Sequence, residues 1–191
     1  LAADLRLESD YPITPDYEEL AVENELHTAH IVSFRSVILT GEASALADVR
    51  GVTSGYPLRG EVRVADELAG TPRVADGVPV PGEVWAEPSL LVRLGISVGD
   101  EINVGNLVLR VSQTLEFRPD EGWRFMEISP TLLLNLADLE NTGLILPGSI
   151  IEYEMLFAGS ERNVATLRDV LESKIALDQE LDDIRDGRPE V

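Results

Sequence analysis

Apolar and polar side chains alternate from Ala3 to Ser9 (ADLRLES), the period-two pattern of a strand that buries one face. Thr14-Pro15-Asp16 then supplies a capping hydroxyl, a proline suited to the first helical position and an acid near the positive helix end. The spacing predicts a helix to about Asn24, with Tyr17, Leu20 and Ala21 facing a sheet. The run Thr28 to Thr40 (TAHIVSFRSVILT) is rich in β-branched and aromatic residues, and Ala45 to Thr53 (ALADVRGVT) reads as its hairpin partner across a turn at Gly41-Glu42.

Between Tyr56 and Pro81 periodicity fades and Pro and Gly recur at short intervals, which predicts a linker and an irregular surface loop. Trp85 to Leu94 predicts a short helix that starts at Pro88 and stops at Gly95. A turn at Val98-Gly99-Asp100, a strand from Glu101 to Val104, a two-residue loop at Gly105-Asn106 and a strand from Leu107 to Phe117 make a compact β unit. Ser129-Pro130 reads as the start of a helix with Leu132, Leu136 and Leu139 on one stripe and Leu133 and Ala137 beside it. Ile151 to Phe157 alternates with Glu152 and Glu154 on a wet face. Ser160 caps a helix carrying Val164, Leu167, Leu171 and Ile175, and Leu181 to Arg185 reads as a closing strand. The fold class this predicts is α+β, with strand–helix–strand units at both ends sharing one sheet and the Gly/Pro-rich middle inserted between them.

Composition narrows the function classes. With 44% apolar and 26% charged residues among 191, the chain has the make-up of a packed protein. Its formal charge of −20 repels phosphate backbones and anionic membrane surfaces, which argues against nucleic acid as a partner. Lys174 is the only lysine, and the spread of acids reads first as a solvated, salt-tolerant surface. The absence of cysteine excludes disulfides and thiolate chemistry. No apolar run reaches the length of a membrane-spanning helix. The opening Leu1-Ala2-Ala3, without methionine or a signal-peptide n-region, fits a segment processed or cut from a longer chain.

The order ADLRLES, capped helix, HIVSFRSVILTGEASALADVRGVTSGYPLRG and GEVWAEPSLLVRLGISVGDEINVGNLVLRV resembles the extracytoplasmic domain of MacB/FtsX-type ABC-transporter permeases over about residues 3 to 157. Val52 to Gly60 (VTSGYPLRG) is similar to the segment where such domains leave their first strand–helix–strand half. Leu90 to Gly105 (LLVRLGISVGDEINVG) resembles their helix, glycine stop and Gly-Asp turn. The YPLRG wording is similar to permeases linked to a lysophospholipase-like esterase. The resemblance implies a porter-like α+β domain of residues 1–56 and 122–191 with an inserted β-rich, sabre-like subdomain of residues 57–121. It also implies a place outside the cytoplasmic (inner) membrane between transmembrane helices absent from this sequence, and a separate cytoplasmic ATPase subunit acting through them. The expected role is transmission of ATP-driven motion for export or extraction of a hydrophobic or lipid-type client, or activation of a periplasmic partner; relatives commonly act as homodimers. The resemblance fades after Gly159, and no adaptor-contacting loop is matched.

Candidate chemistry weighs against an enzyme. His27 and His30, flanked by Glu23 and Glu25, lie three apart on a predicted strand, so their side chains point to opposite faces and read as surface histidines, not metal ligands. No G-x-S-x-G elbow exists; Ser54-Gly55 and Gly159-Ser160 read as turn or cap chemistry. Glu18/Glu19 and Asp182/Asp183 splay as sequence neighbours, and Gly51, Gly55 and Gly60 do not have phosphate-loop spacing. Trp85 and Trp123 read as core or interface anchors before an acyl-chain cleft, and Leu132, Leu133, Leu136 and Leu139 as core before a partner-helix face. No catalytic, cofactor-binding or metal-binding residue is therefore assigned. The alternative from another class is a free-standing secreted module that binds a lipid or peptide.

Overall fold

The run HTAHIVSFRSVIL forms a single 13-residue strand because β-branched and aromatic side chains fill both faces of a sheet along its length. In the computed structural model, which describes residues 1–121 and 129–186, this strand is the spine of the molecule. In chain order the elements are β1 (Leu5–Ser9), α1 (Asp16–Glu23), β2 (His27–Leu39), β3 (Ser44–Val52), β4 (Arg63–Ala65), β5 (Arg73–Val74), β6 (Glu83–Ala86), α2 (Pro88–Leu94), β7 (Glu101–Val104), β8 (Leu107–Phe117), β9 (Thr131–Asn135), β10 (Glu152–Ala158), α3 (Glu161–Glu172) and β11 (Gln179–Asp183). The strands hydrogen-bond in the order β11-β1-β10-β2-β3-β9-β6-β8-β4-β5, and β7 bridges β2 and β8. The β3/β9 and β6/β8 pairs are parallel, and the other pairs antiparallel.

Both faces of the central sheet are covered. On one face α1 and α3 seal Leu5, Leu7, Met155 and Phe157 with Tyr17, Ala21, Val164, Leu167 and Leu171. Further along the same face α2 packs Leu90, Leu91 and Leu94 on Phe34, Ile38, Val49, Leu132 and Leu134. On the opposite face the segment after β3 lays Tyr56 and Val62 over Ile31, Val52, Trp85, Leu133 and Leu156. Local signals set the helix ends: Ser160 Oγ accepts the Asn163 amide at 3.2 Å, and Gly95 closes α2 in the left-handed region at φ 67°.

The two ends of the described chain meet. Leu5 lies opposite both Phe157 and Asp183, and the Ile184 amide donates to the Asp4 carbonyl at 3.0 Å. From there β2 and β3 run to a hairpin at Thr40–Ala43 at the other end of the sheet.

Two sequence expectations are corrected. The segment after Pro130 is not a helix: Thr131–Asn135 is a strand, followed by single 3-10 turns at Leu136–Asp138 and Glu140–Thr142. Leu132, Leu133 and Leu134 are all buried because β9 sits between β3 and β6 with core on both sides. A strand covered on both faces loses its alternation and reads as a plain apolar run. The Tyr56–Pro81 stretch is not all irregular: β4 pairs with β8 and β5, and Tyr56, Val62, Val64 and Ala65 are buried. Strands of two and three residues are too short to show a period.

A buried chain of ion pairs as the candidate functional site

Strands place alternate residues on one face, and on the face covered by Tyr56 this alternation aligns charges instead of hydrocarbon. Arg6 on β1, Glu154 on β10 and Arg50 on β3 sit there, with Asp182 on β11. Arg6 Nη2 donates to Asp182 Oδ2 at 2.6 Å, and its Nη1 to Glu154 Oε1 at 3.2 Å. Arg50 Nη2 reaches Glu154 Oε2 at 3.5 Å and Asp120 Oδ2 at 2.6 Å. Tyr56 donates its hydroxyl to Asp120 Oδ1 at 2.5 Å, and Arg118 Nη1 lies 3.3 Å from the same oxygen. A continuous line of charge-assisted contacts therefore runs from β11 and β1, where the ends meet, to the segment that returns from the middle of the chain.

The inner end of the line is sealed from water: Arg118 is 2% exposed and Asp120 1%. Burial works against the charged form of Asp120, but Arg50, Arg118 and the Tyr56 hydroxyl outweigh it and hold the carboxyl below its ordinary value. Burial, and then the Asp120 charge, push Tyr56 well above the usual phenol range. Desolvation opposes the charge on Arg6, yet Asp182, Glu154 and Glu8 raise its pKa. Such an arrangement can hold two parts of a fold in one relative position, because breaking the links around Arg50, Asp120 and Glu154 strands a buried charge.

Glu8, Glu152 and Glu154 are three carboxylates whose oxygens lie within 4.8 Å of one another. Guanidinium groups already serve them: Arg6 lies 3.2 Å from both Glu8 and Glu154, and Arg50 3.5 Å from Glu154.

The histidines separate as their spacing predicts: His27 is exposed, while His30 is half-buried with its Nε2 2.8 Å from Glu18 Oε2. Glu18 also accepts from the Thr28 hydroxyl, and Glu19 does not join it. Asp182 turns to Arg6 and Asp183 to Arg168 and Arg185. Ser54 is exposed and Ser160 is a helix cap. Trp85 is buried against Tyr56 and Leu133, whereas Trp123 lies outside the described residues. Leu132 and Leu133 point to opposite faces of β9, and Leu136 and Leu139 belong to the turns that follow.

Sequence reasoning missed Arg6, Arg50, Tyr56, Arg118, Asp120 and Glu154 as a group. Glu154 was expected on a wet face and is 2% exposed. The sequence carried little signal for the group: Arg6 shares its strand face with Asp4 and Glu8, opposite Leu5 and Leu7, and Arg50 shares its face with Asp48, so both read as polar outward positions.

No protein-family model matches the chain. It is 29% identical over 164 residues to an uncharacterized ABC transporter permease, YbbP, of Escherichia coli strain K12, a match covering 86% of this chain and 19% of that protein. The chain thus spans about a fifth of the length of the curated relative it matches. Among solved structures, the periplasmic region of MacB from Actinobacillus actinomycetemcomitans superposes with a TM-score of 0.58 at 12% identity, covering 96% of this chain and 90% of the other. The extracellular domain of the ABC-type transporter YknZ from Gram-positive bacteria gives 0.58 at 11% identity, covering 93% and 99%. The MacB and YknZ domains share the mixed sheet with flanking helices, and among the described residues no helix is long and apolar enough to cross a membrane. In sequence the chain is a relative of an ABC-transporter permease, and in fold it is an α+β domain of the kind found outside the membrane in MacB-type permeases.

Proposed function

We propose that the chain is the extracytoplasmic domain of an ABC-transporter permease that transmits ATP-driven motion across the membrane and catalyses no reaction itself. The observation that carries this reading is the meeting of the two ends: β1 and β11 pair side by side, with Asp4 and Ile184 hydrogen-bonded. A body entered and left at one point can be moved as a unit by two membrane helices beneath it, the geometry of rigid-body and hinge transitions. The ion-pair chain begins on those same two strands and ends at Arg118 and Asp120, so displacement of the ends is carried to the residues returning from the middle of the chain. The force comes from a separate cytoplasmic ATPase subunit, and the work is export or extraction of a hydrophobic client.

The test uses the full-length permease with its ATPase, reconstituted in vesicles and labelled at Glu42 on the β2–β3 hairpin. A nucleotide-dependent change in distance from this label to a bilayer-embedded quencher is expected, and it disappears when the ATPase is inactivated. An unchanged distance through the ATP cycle refutes the reading, as does ester or peptide turnover by the purified domain that depends on one side chain.

A further inference from the structure

The sheet face opposite the ion-pair chain has a gap in its cover. Helices α1 and α3 seal it over Leu5, Leu7 and Phe157, and α2 over Val49 and Leu132, but between them Val32 and its cross-strand partner Tyr153 are only partly covered. The 3-10 turns after β9 form one wall. Gly51 seats that wall, because a Cβ there would meet Leu139 Cδ1 at 2.5 Å. The resulting groove of about 640 Å³ is walled by Val32, Leu136, Leu139, Ile145 and Tyr153, and Val32, Leu136 and Tyr153 also line an adjoining recess of about 170 Å³ that ends at Ile13. Its size falls in the range of small-molecule sites.

The charges around this groove are one-sided. Glu140 lines it, and among the described residues no arginine or lysine does. His30, in the adjoining recess, is already engaged by Glu18 at 2.8 Å. An anionic head group would find no counter-charge here and would face the field of a chain with net charge −20. A cationic head group would be drawn to it, and an alkyl chain would gain from burial against Val32, Leu136 and Tyr153.

We infer that this groove is a binding site for single-chain cationic amphiphiles, the hydrocarbon lying along Val32 and Tyr153 and the head group near Glu140. Read with the proposed function, on which only its transport meaning rests, the site holds the client's chain while the domain moves.

The test is calorimetric titration of the purified chain with alkyltrimethylammonium ions of eight, ten and twelve carbons, below their micelle concentrations, and with dodecanoate. Saturable one-to-one binding is expected, tightening roughly fourfold per added methylene, with dodecanoate several-fold weaker than the twelve-carbon cation, since its carboxylate meets Glu140 where the cation meets a counter-charge. Ile145 is 36% exposed, so changing it leaves the core intact. Ile145→Lys should weaken the cation about tenfold or more, with an unchanged melting temperature. The proposal is overturned by absence of saturable binding, by affinity indifferent to chain length, by equal binding of dodecanoate, or by an Ile145→Lys variant that binds as well as the parent. Failure of the vesicle experiment leaves these titrations untouched, so the two readings fall separately.

Discussion

Asp120 is the residue on which the buried ion-pair line turns, since it receives Arg50, Arg118 and Tyr56 together. Asp120→Asn leaves two arginines facing a neutral amide and should cost about 3 kcal/mol of unfolding free energy at pH 7, measured by urea denaturation. The pH dependence has a definite sign. The native carboxyl titrates below its ordinary value of about 3.9, so its stabilisation is complete above about pH 4 and is lost as the pH falls through the native value. Unfolding below about pH 4 should therefore steepen in the parent and flatten in Asp120→Asn. Tyr56 acts at the other limit. Its native pKa lies well above the unfolded value near 10, so the folded state keeps a proton that the unfolded state loses, and stability falls as the pH rises past about 10. Tyr56→Phe should remove that alkaline decline and cost about 2 kcal/mol at pH 7, the scale of a hydrogen bond to a charged acceptor.

At the scale of elements, β9 separates two readings that the sequence leaves open. On a helix, three consecutive leucines cannot all face the core; on a strand with both faces covered, they can. Leu132→Ala, Leu133→Ala and Leu134→Ala should each cost about 2–5 kcal/mol in denaturant titrations, whereas a helical segment would spare at least one of them. The helix α3 was legible because its signals are local: Ser160 caps it, and Val164, Leu167 and Leu171 recur on one side. Ser160→Ala should cost about 1 kcal/mol. The short strands β4 and β5 had no comparable signal, since β4 pairs with β8, at least forty residues away, and β5 is a two-residue strand that pairs with β4.

The whole molecule carries a net charge of −20, and compaction brings those acids together. Screening should relieve the repulsion, so the melting temperature should rise as sodium chloride goes from about 10 mM to 150 mM, over which the Debye length shrinks from about 30 to 8 Å. A melting temperature that stays level would mean that local pairs such as Arg59–Asp4 and Arg35–Asp48 already balance the field. The sequence alone determined what depends on neighbours a few residues apart: the helices α1, α2 and α3, the Ser160 cap of α3 and the Gly95 stop of α2, the β2–β3 and β7–β8 hairpins, the opposite faces of His27 and His30, and the α+β class with both ends in one sheet. Tertiary structure decided what depends on register and cover. It made a strand of Thr131–Asn135, turned Glu154 inward to meet Arg6 and Arg50, and left Val32 and Tyr153 under a gap between helices. The physical reason is range: caps, turns and periodicity are settled within one turn or hairpin, whereas a buried charge or an open groove exists only once segments more than a hundred residues apart, such as Arg6 and Glu154, have been brought together.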